Sequence, residues 1–168
     1  MALTTVEAPP ARSDAAAVAA RALRVARRTA LGVLGDREAA EDVAQDVAVT
    51  AVRRAATLRD PAALDAWLHR IAVRAALAEA RRGRNRRAAE LAHVEHRAGP
   101  EPEPLDAALA LLDGLPARQR AALTLRYVHD LPDEAIARAL RCRPGTVRSL
   151  LSRGREALRA AHEPETSP

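Results

Sequence analysis

LPARQRAALTLRYVHDLPDEAIARALRCRPGTVRSLLSRGREALR, running from Leu115 to Arg159, is the stretch whose reading decides the fold. Its spacing predicts a helix-turn-helix with a basic second helix. Pro132 stands at the first turn of one helix, where a missing N–H costs nothing, and Asp133 and Glu134 complement the positive end of that helix dipole. Ile136 and Leu140 supply its buried face, and it should stop at Arg141-Cys142-Arg143. Pro144 then opens a second helix in which Val147, Leu150, Leu151, Gly154 and Leu158 recur at core-face spacing. The opposite side carries Arg148, Ser149, Ser152, Arg153, Arg155 and Arg159. An apolar stripe that anchors a helix, opposed by guanidinium and hydroxyl groups, suits a helix laid against the phosphates and base edges of duplex DNA. An ordinary amphipathic hairpin with a solvated basic face would show the same pattern, so the rest of the chain has to discriminate.

The formal net charge is +5 over 168 residues, which favours a polyanionic partner. All 27 basic residues are Arg, and Phe is absent as well. That bias resembles GC-rich coding, so only the positions of the Arg residues carry weight. Hydrophobic residues make up 48% of the chain but aromatic ones only 1%, so any core must be built from Ala, Leu and Val in small helical modules. The single cysteine, Cys142, excludes an internal disulfide and a cysteine-rich zinc site. The stretch MALTTVEAPPAR has no apolar run of signal-peptide length. The Ala-rich segment after it is interrupted by Arg21, Arg24, Arg27 and Arg28, which argues against a membrane span and for a cytoplasmic location.

Upstream, a first helix is expected from Ser13 or Asp14 as N-cap to Gly35, carrying Val18, Leu23, Val25 and Leu31. Asp36 can cap a second helix, from Arg37 to about Leu58, that buries Ala40, Val43, Ala44, Val47, Ala51 and Val52. Glu38, Glu41, Asp42, Gln45 and Asp46 crowd its first half beyond what capping requires, and predict a partner surface. Pro61 opens a third helix with the stripe Leu64, Trp67, Leu68, Ile71 and Ala75, in which Trp67 is a core anchor. Its outer positions and tail hold Arg70, Arg74, Arg81, Arg82, Arg84, Arg86 and Arg87, a like-charge run that phosphates would neutralise. From Ala88 to Pro104 periodicity fails. The run Gly99-Pro100-Glu101-Pro102-Glu103-Pro104 reads as an extended, semi-rigid linker that separates two modules. The expected organisation is all-α: a disordered N-terminus (1–12), a helical module (13–87), the linker (88–104), a helix-turn-helix module (105–162) and a disordered tail (163–168).

With both modules in order, the chain resembles a sigma factor of the extracytoplasmic-function type, within the bacterial sigma-70 family. GDREAAEDVAQDV, Gly35 to Val47, resembles the family's region 2.1 to 2.2, and AWLHRIAVRAALAEARR, Ala66 to Arg82, its region 2.4. Leu115 to Leu158 resembles region 4. The resemblance implies a region 2 bundle of three to four helices and a region 4 helix-turn-helix bundle. It also implies a factor that binds core RNA polymerase and directs it to promoter DNA, with an anti-sigma factor as a further partner. Carried over, Glu41, Asp42, Gln45 and Asp46 would meet the clamp helices of the polymerase's largest subunit. The helix from Trp67 to Arg82, with Arg70, Arg74, Arg81 and Arg82, would face the minus-ten element. Thr146, Arg148, Ser149, Ser152 and Arg153 would enter the major groove at the minus-thirty-five element. The chain departs from the family where an aromatic is usual near Leu64, where an Asn is usual at Arg74, and where an Arg is frequent at Leu150.

Two rival readings are open to the same residues. A plain helix-turn-helix regulator leaves the acidic second helix and Arg-rich third helix unassigned. A helical module that only sequesters another protein leaves the polar face of the last helix unexplained. An enzyme fits least, since His69, His93, His96, His129 and His162 are scattered and no carboxylate cluster or Gly-rich phosphate loop accompanies them. Neither a cofactor nor a metal is expected.

Overall fold

A computed structural model of the chain describes residues 12–89, 109, 111, 112 and 114–162. Among the described residues every regular element is helical. They are α1 (Arg12–Leu34), α2 (Arg37–Arg54), α3 (Leu64–Ala89), α4 (Ala117–Tyr127), α5 (Asp133–Leu140) and α6 (Pro144–His162). Two 3-10 turns, Ala55–Thr57 and Pro61–Ala63, link α2 to α3.

The helix ends follow local chemistry. Gly35 takes the left-handed conformation (φ 68°) that closes α1, and its N–H donates to the Leu31 carbonyl at 2.9 Å. Asp36 caps α2 by accepting the Ala39 N–H at 2.8 Å. The helix α5 ends with Arg141 left-handed (φ 51°) and the Cys142 N–H donating to the Ala137 carbonyl at 3.0 Å, a Schellman closure. Arg118 supports that end, its Nη2 donating to the Leu140 carbonyl at 3.2 Å. Three expected boundaries shift. Ser13 and Asp14 lie inside the first turn of α1 rather than capping it, Pro132 is the N-cap of α5 rather than its first helical residue, and α2 gives way to a 3-10 turn at Ala55.

The N-terminal three helices form one packed unit, with α1 laid along α2 and α3. The face of α2 that turns inward is Ala40, Val43, Ala44, Val47, Ala48 and Ala51. Val52, expected in that face, is instead 42% exposed. One residue past Ala51 is a turn of about 100° on a helix, which carries Val52 to the outer side with Val49. Trp67 packs against the smaller apolar cluster of Ala22, Ala48, Ala51 and Leu68, as a core anchor should. The C-terminal helices pack through α4 and α6, where Gly154 lets the backbone approach the buried Leu123. An added Cβ there would stand 2.8 Å from Leu123 Cδ1.

The two modules do not stand apart. One continuous core runs from Ala26, Ala30 and Val33 of α1 through Ala72, Val73 and Ala76 of α3 to Ala121 and Leu125 of α4 and Ile136 and Leu140 of α5. Accordingly α1 packs on α4, and α3 on both α4 and α5. Small side chains make this possible, because Ala and Gly faces let helix axes come close and bury area on a second side. Two residues of the expected linker, Ala88 and Ala89, continue α3. The rest of it, including the Pro-Glu run, lies outside the described residues, as do both termini.

Candidate nucleic-acid interface

The helix α6 is anchored by Val147 and Leu151, both buried, with Leu150 and Leu158 partly buried against the same core. Thr146, Arg148, Ser149, Ser152 and Arg153, the expected groove residues, are all exposed. Leu150 therefore serves packing where the family often has an Arg. The Ser149 hydroxyl donates to the Gly145 carbonyl at 3.1 Å, so it is oriented and keeps its lone pairs outward as acceptors. Arg143 and Arg141, before the helix, are exposed and extend the basic surface around its N-terminus. Farther along, Arg155 Nη1 donates to the Tyr127 hydroxyl at 3.3 Å. Tyr127 is 62% exposed, the most exposed large apolar side chain among the described residues.

The acidic face is equally open. Glu41, Asp42, Gln45 and Asp46 are exposed on α2, opposite the buried Val43 and Val47. Val49 and Val52 prolong that stripe toward the end of the helix, being 49% and 42% exposed. Sequence reading missed this apolar extension. Plotting α2 at 100° per residue places Val49 off the inward stripe and Val52 at its border.

The basic residues of α3 divide. Arg81, Arg82 and Arg84 are exposed near its end, and Arg82 Nε donates to Glu79 Oε2 at 2.9 Å on the same helix. Arg70 and Arg74 are only part-exposed, on a helix that also packs against α4 and α5. Arg74 Nε is buried with no hydrogen-bond partner among the described residues. Burial, then the like charges of Arg141 and Arg70, lower the Arg74 pKa from its ordinary value. So α6 presents its expected contacts together, whereas α3 presents the distal ones and holds back the two nearest its middle.

Beside them is a pair that sequence reading left scattered. The rings of His69 and His129 meet edge to face with centroids 4.6 Å apart. His129 Nε2 lies 2.9 Å from the Thr29 hydroxyl of α1. That hydroxyl has a single proton and donates it to the Val25 carbonyl at 2.7 Å, so the His129 Nε2–H must be the donor to Thr29 Oγ1. Burial is the largest cause that lowers both histidines, and it pushes His129 down to about 4 with the help of His69 and Arg28. No group of three or more metal-ligating side chains exists among the described residues, and none of their helices is long and apolar enough to cross a membrane.

Comparison with known proteins agrees with this arrangement. The family described as sigma-70 region 2 matches residues 18–87, and the one described as sigma-70, region 4, matches residues 105–158. The chain is 35% identical over 153 residues to an ECF RNA polymerase sigma factor, SigE, of Mycolicibacterium smegmatis, covering 83% of this chain and 59% of that protein. It is 34% identical over 146 residues to the RNA polymerase sigma-H factor of Pseudomonas aeruginosa, covering 77% of this chain and 76% of that one. A solved structure of the sigma factor RpoE in complex with the anti-sigma factor NepR from Bartonella quintana matches with a TM-score of 0.72 at 25% identity. That match covers 91% of this chain and 99% of the RpoE chain. Two modules matched in order, with their helix-turn-helix intact, lead to one conclusion: the chain belongs to the sigma-70 family, among its extracytoplasmic-function sigma factors.

Proposed function

We propose that the chain is an alternative sigma factor that binds core RNA polymerase in the cytoplasm and directs it to promoters. The α2 face of Glu41, Asp42, Gln45 and Asp46 meets the polymerase. The helix α6 reads the minus-thirty-five element through Thr146, Arg148, Ser149, Ser152 and Arg153, while Arg70, Arg74, Arg81 and Arg82 of α3 serve the minus-ten element. The observation that carries this reading is the coexistence on one chain of two exposed surfaces of opposite charge, acidic on α2 and basic on α6. A DNA-binding module alone needs only the second. No bond is made or broken by the factor itself; its role is to position the polymerase on duplex DNA. An anti-sigma factor is a further partner, since RpoE binds one.

The test is to add the purified chain to core polymerase and map transcripts begun on genomic DNA. Discrete new start sites are expected. Asp42→Arg with Asp46→Arg should weaken core binding in a titration while helicity stays unchanged. Tight promoter binding without any affinity for core enzyme would leave only the plain helix-turn-helix regulator.

A further inference from the structure

At the seam where α3 meets α5, three guanidinium groups gather without an opposite charge. Arg70 and Arg74 stand at i and i+4 on α3, on one face of the helix, and both are only part-exposed. Arg141 closes α5, which packs on α3. It lies near enough for its charge to act on Arg74, as the charge of Arg70 does. None of the three side chains has a hydrogen-bond or ion-pair partner among the described residues, and Arg74 Nε is buried. The carboxylates of these helices are engaged elsewhere. Asp65 pairs with Arg21, Glu79 with Arg82 and Asp133 with Arg126, while Glu134 lies in the first turn of α5, at the opposite end from Arg141.

A guanidinium keeps its proton in a protein, so this crowding is not relieved by neutralisation. A bound anion relieves it, and covering a charge without one is costly. The backbone at Arg141 points the same way. Its φ of 51° is the left-handed conformation in which a helix-ending residue is ordinarily Gly or Asn. Gly would make the turn with less strain, so a long cationic side chain kept there indicates a use for that side chain. Each guanidinium presents a planar fork of N–H donors that matches a phosphoryl group. Three forks in one place suit an anion that concentrates several charges and acceptor oxygens in a small volume, which a diphosphate does and a single carboxylate does not. We propose that Arg70, Arg74 and Arg141 form a binding site for a diphosphate group, either as the free inorganic ion or at the end of a nucleotide. The site stands independently of the assignment of α3 to the minus-ten element.

Calorimetric titration of the full chain with inorganic diphosphate, in magnesium-free buffer at physiological ionic strength, tests the site. Saturable binding of one diphosphate per chain is expected. Arg141→Gly should weaken it by about tenfold or more, as the loss of a charge-assisted fork requires. The same variant should melt no lower than wild type, because it removes a left-handed non-glycine residue. Arg74→Ala should lose affinity to a similar extent, and Arg74→Lys, which keeps the charge but not the fork, should restore only part of it. Arg53→Ala with Arg54→Ala, exposed at the end of α2, removes as much charge as two of the site residues carry and should leave the affinity within about twofold. Adenosine diphosphate distinguishes the sources: tighter binding than the inorganic ion identifies a nucleotide ligand, weaker binding the free ion, and Arg141→Gly should abolish the preference with the site. No saturable binding of either compound would overturn the proposal, and so would binding that survives Arg141→Gly or Arg74→Ala. An equal loss in the Arg53 and Arg54 variant would reduce it to diffuse attraction of anions to a basic protein. If Arg74→Ala loses helicity, Arg141→Gly decides alone.

Discussion

The helices α3 and α6 are both Arg-rich and amphipathic, yet they spend their charge differently. On α6 one stripe packs, through Val147 and Leu151, and everything opposite is free. On α3 two sides pack. Leu68 faces the N-terminal cluster with Trp67, while Ala72, Val73 and Ala76 join the core shared with the C-terminal module. Arg70 and Arg74 fall between those sides and are partly covered. A basic face therefore remains available only when the helix has one neighbour, and the same composition on a twice-packed helix is conditional on where the second neighbour sits.

The hardest test of that contrast is to break the single stripe of α6. Leu151, 4% exposed, becomes a buried unpaired charge in Leu151→Asp, a change worth about 4 kcal/mol or more against folding. Circular dichroism should show the C-terminal helices lost at temperatures where wild type is folded. Arg148→Ala and Arg153→Ala, on the free side of the same helix, should leave the melt unmoved. A tolerated Leu151→Asp would mean that α6 is not held by this stripe.

A smaller effect should come from pH at the seam of α3. His129 has a folded value of about 4 against 6.5 for the ordinary side chain, so its neutral form is the one the folded structure accepts. Between those values the unfolded chain takes up a proton that the folded chain refuses. Stability should therefore be flat above about pH 6.5, fall as pH drops toward 4, and level off below, by at most about 3 kcal/mol. His69 shifts in the same direction. Thermal melts at stepped pH check the slope, and His129→Asn should flatten it. A pH-independent melt in wild type would show that His129 is not buried in this way.

Smallest in free energy, and sharpest for the comparison, are single Arg truncations read in binding. If Arg148 reads a base edge, Arg148→Ala should cost about 1 to 3 kcal/mol at one promoter position and leave others unaffected. If it touches only phosphate, all sequences should weaken alike. Arg74→Ala should act differently. It removes a buried unpaired Nε and a like charge facing Arg141, so the free protein should melt slightly higher even as DNA affinity drops. Binding against a panel of single-base variants, alongside melts, separates the two helices; identical behaviour of Arg74→Ala and Arg148→Ala would erase the distinction.

Much of this was legible in the residues. The helix-turn-helix, the Asp36 cap, the stop at Arg141 and the exposed polar side of α6 each follow from local rules, because caps, prolines and 3.6-residue periodicity act within a few positions of the residue that encodes them. Val52 was misplaced because one residue of phase decides inside from outside, and an apolar side chain at the border of a stripe fits either.

By itself, then, the sequence determined the helices, most of their faces and the two exposed charged surfaces on α2 and α6, since these depend on neighbours three or four residues away. Only the tertiary structure decided that the modules share a core, that His129 of one meets Thr29 and His69 of the other, and that Gly32 lies against Thr124. Alanine faces gave no warning of this. A small apolar side chain fits at a solvent-facing helix position as readily as at a close helix crossing, and which one it occupies is set by a partner that is 100 residues away for Thr29 and His129.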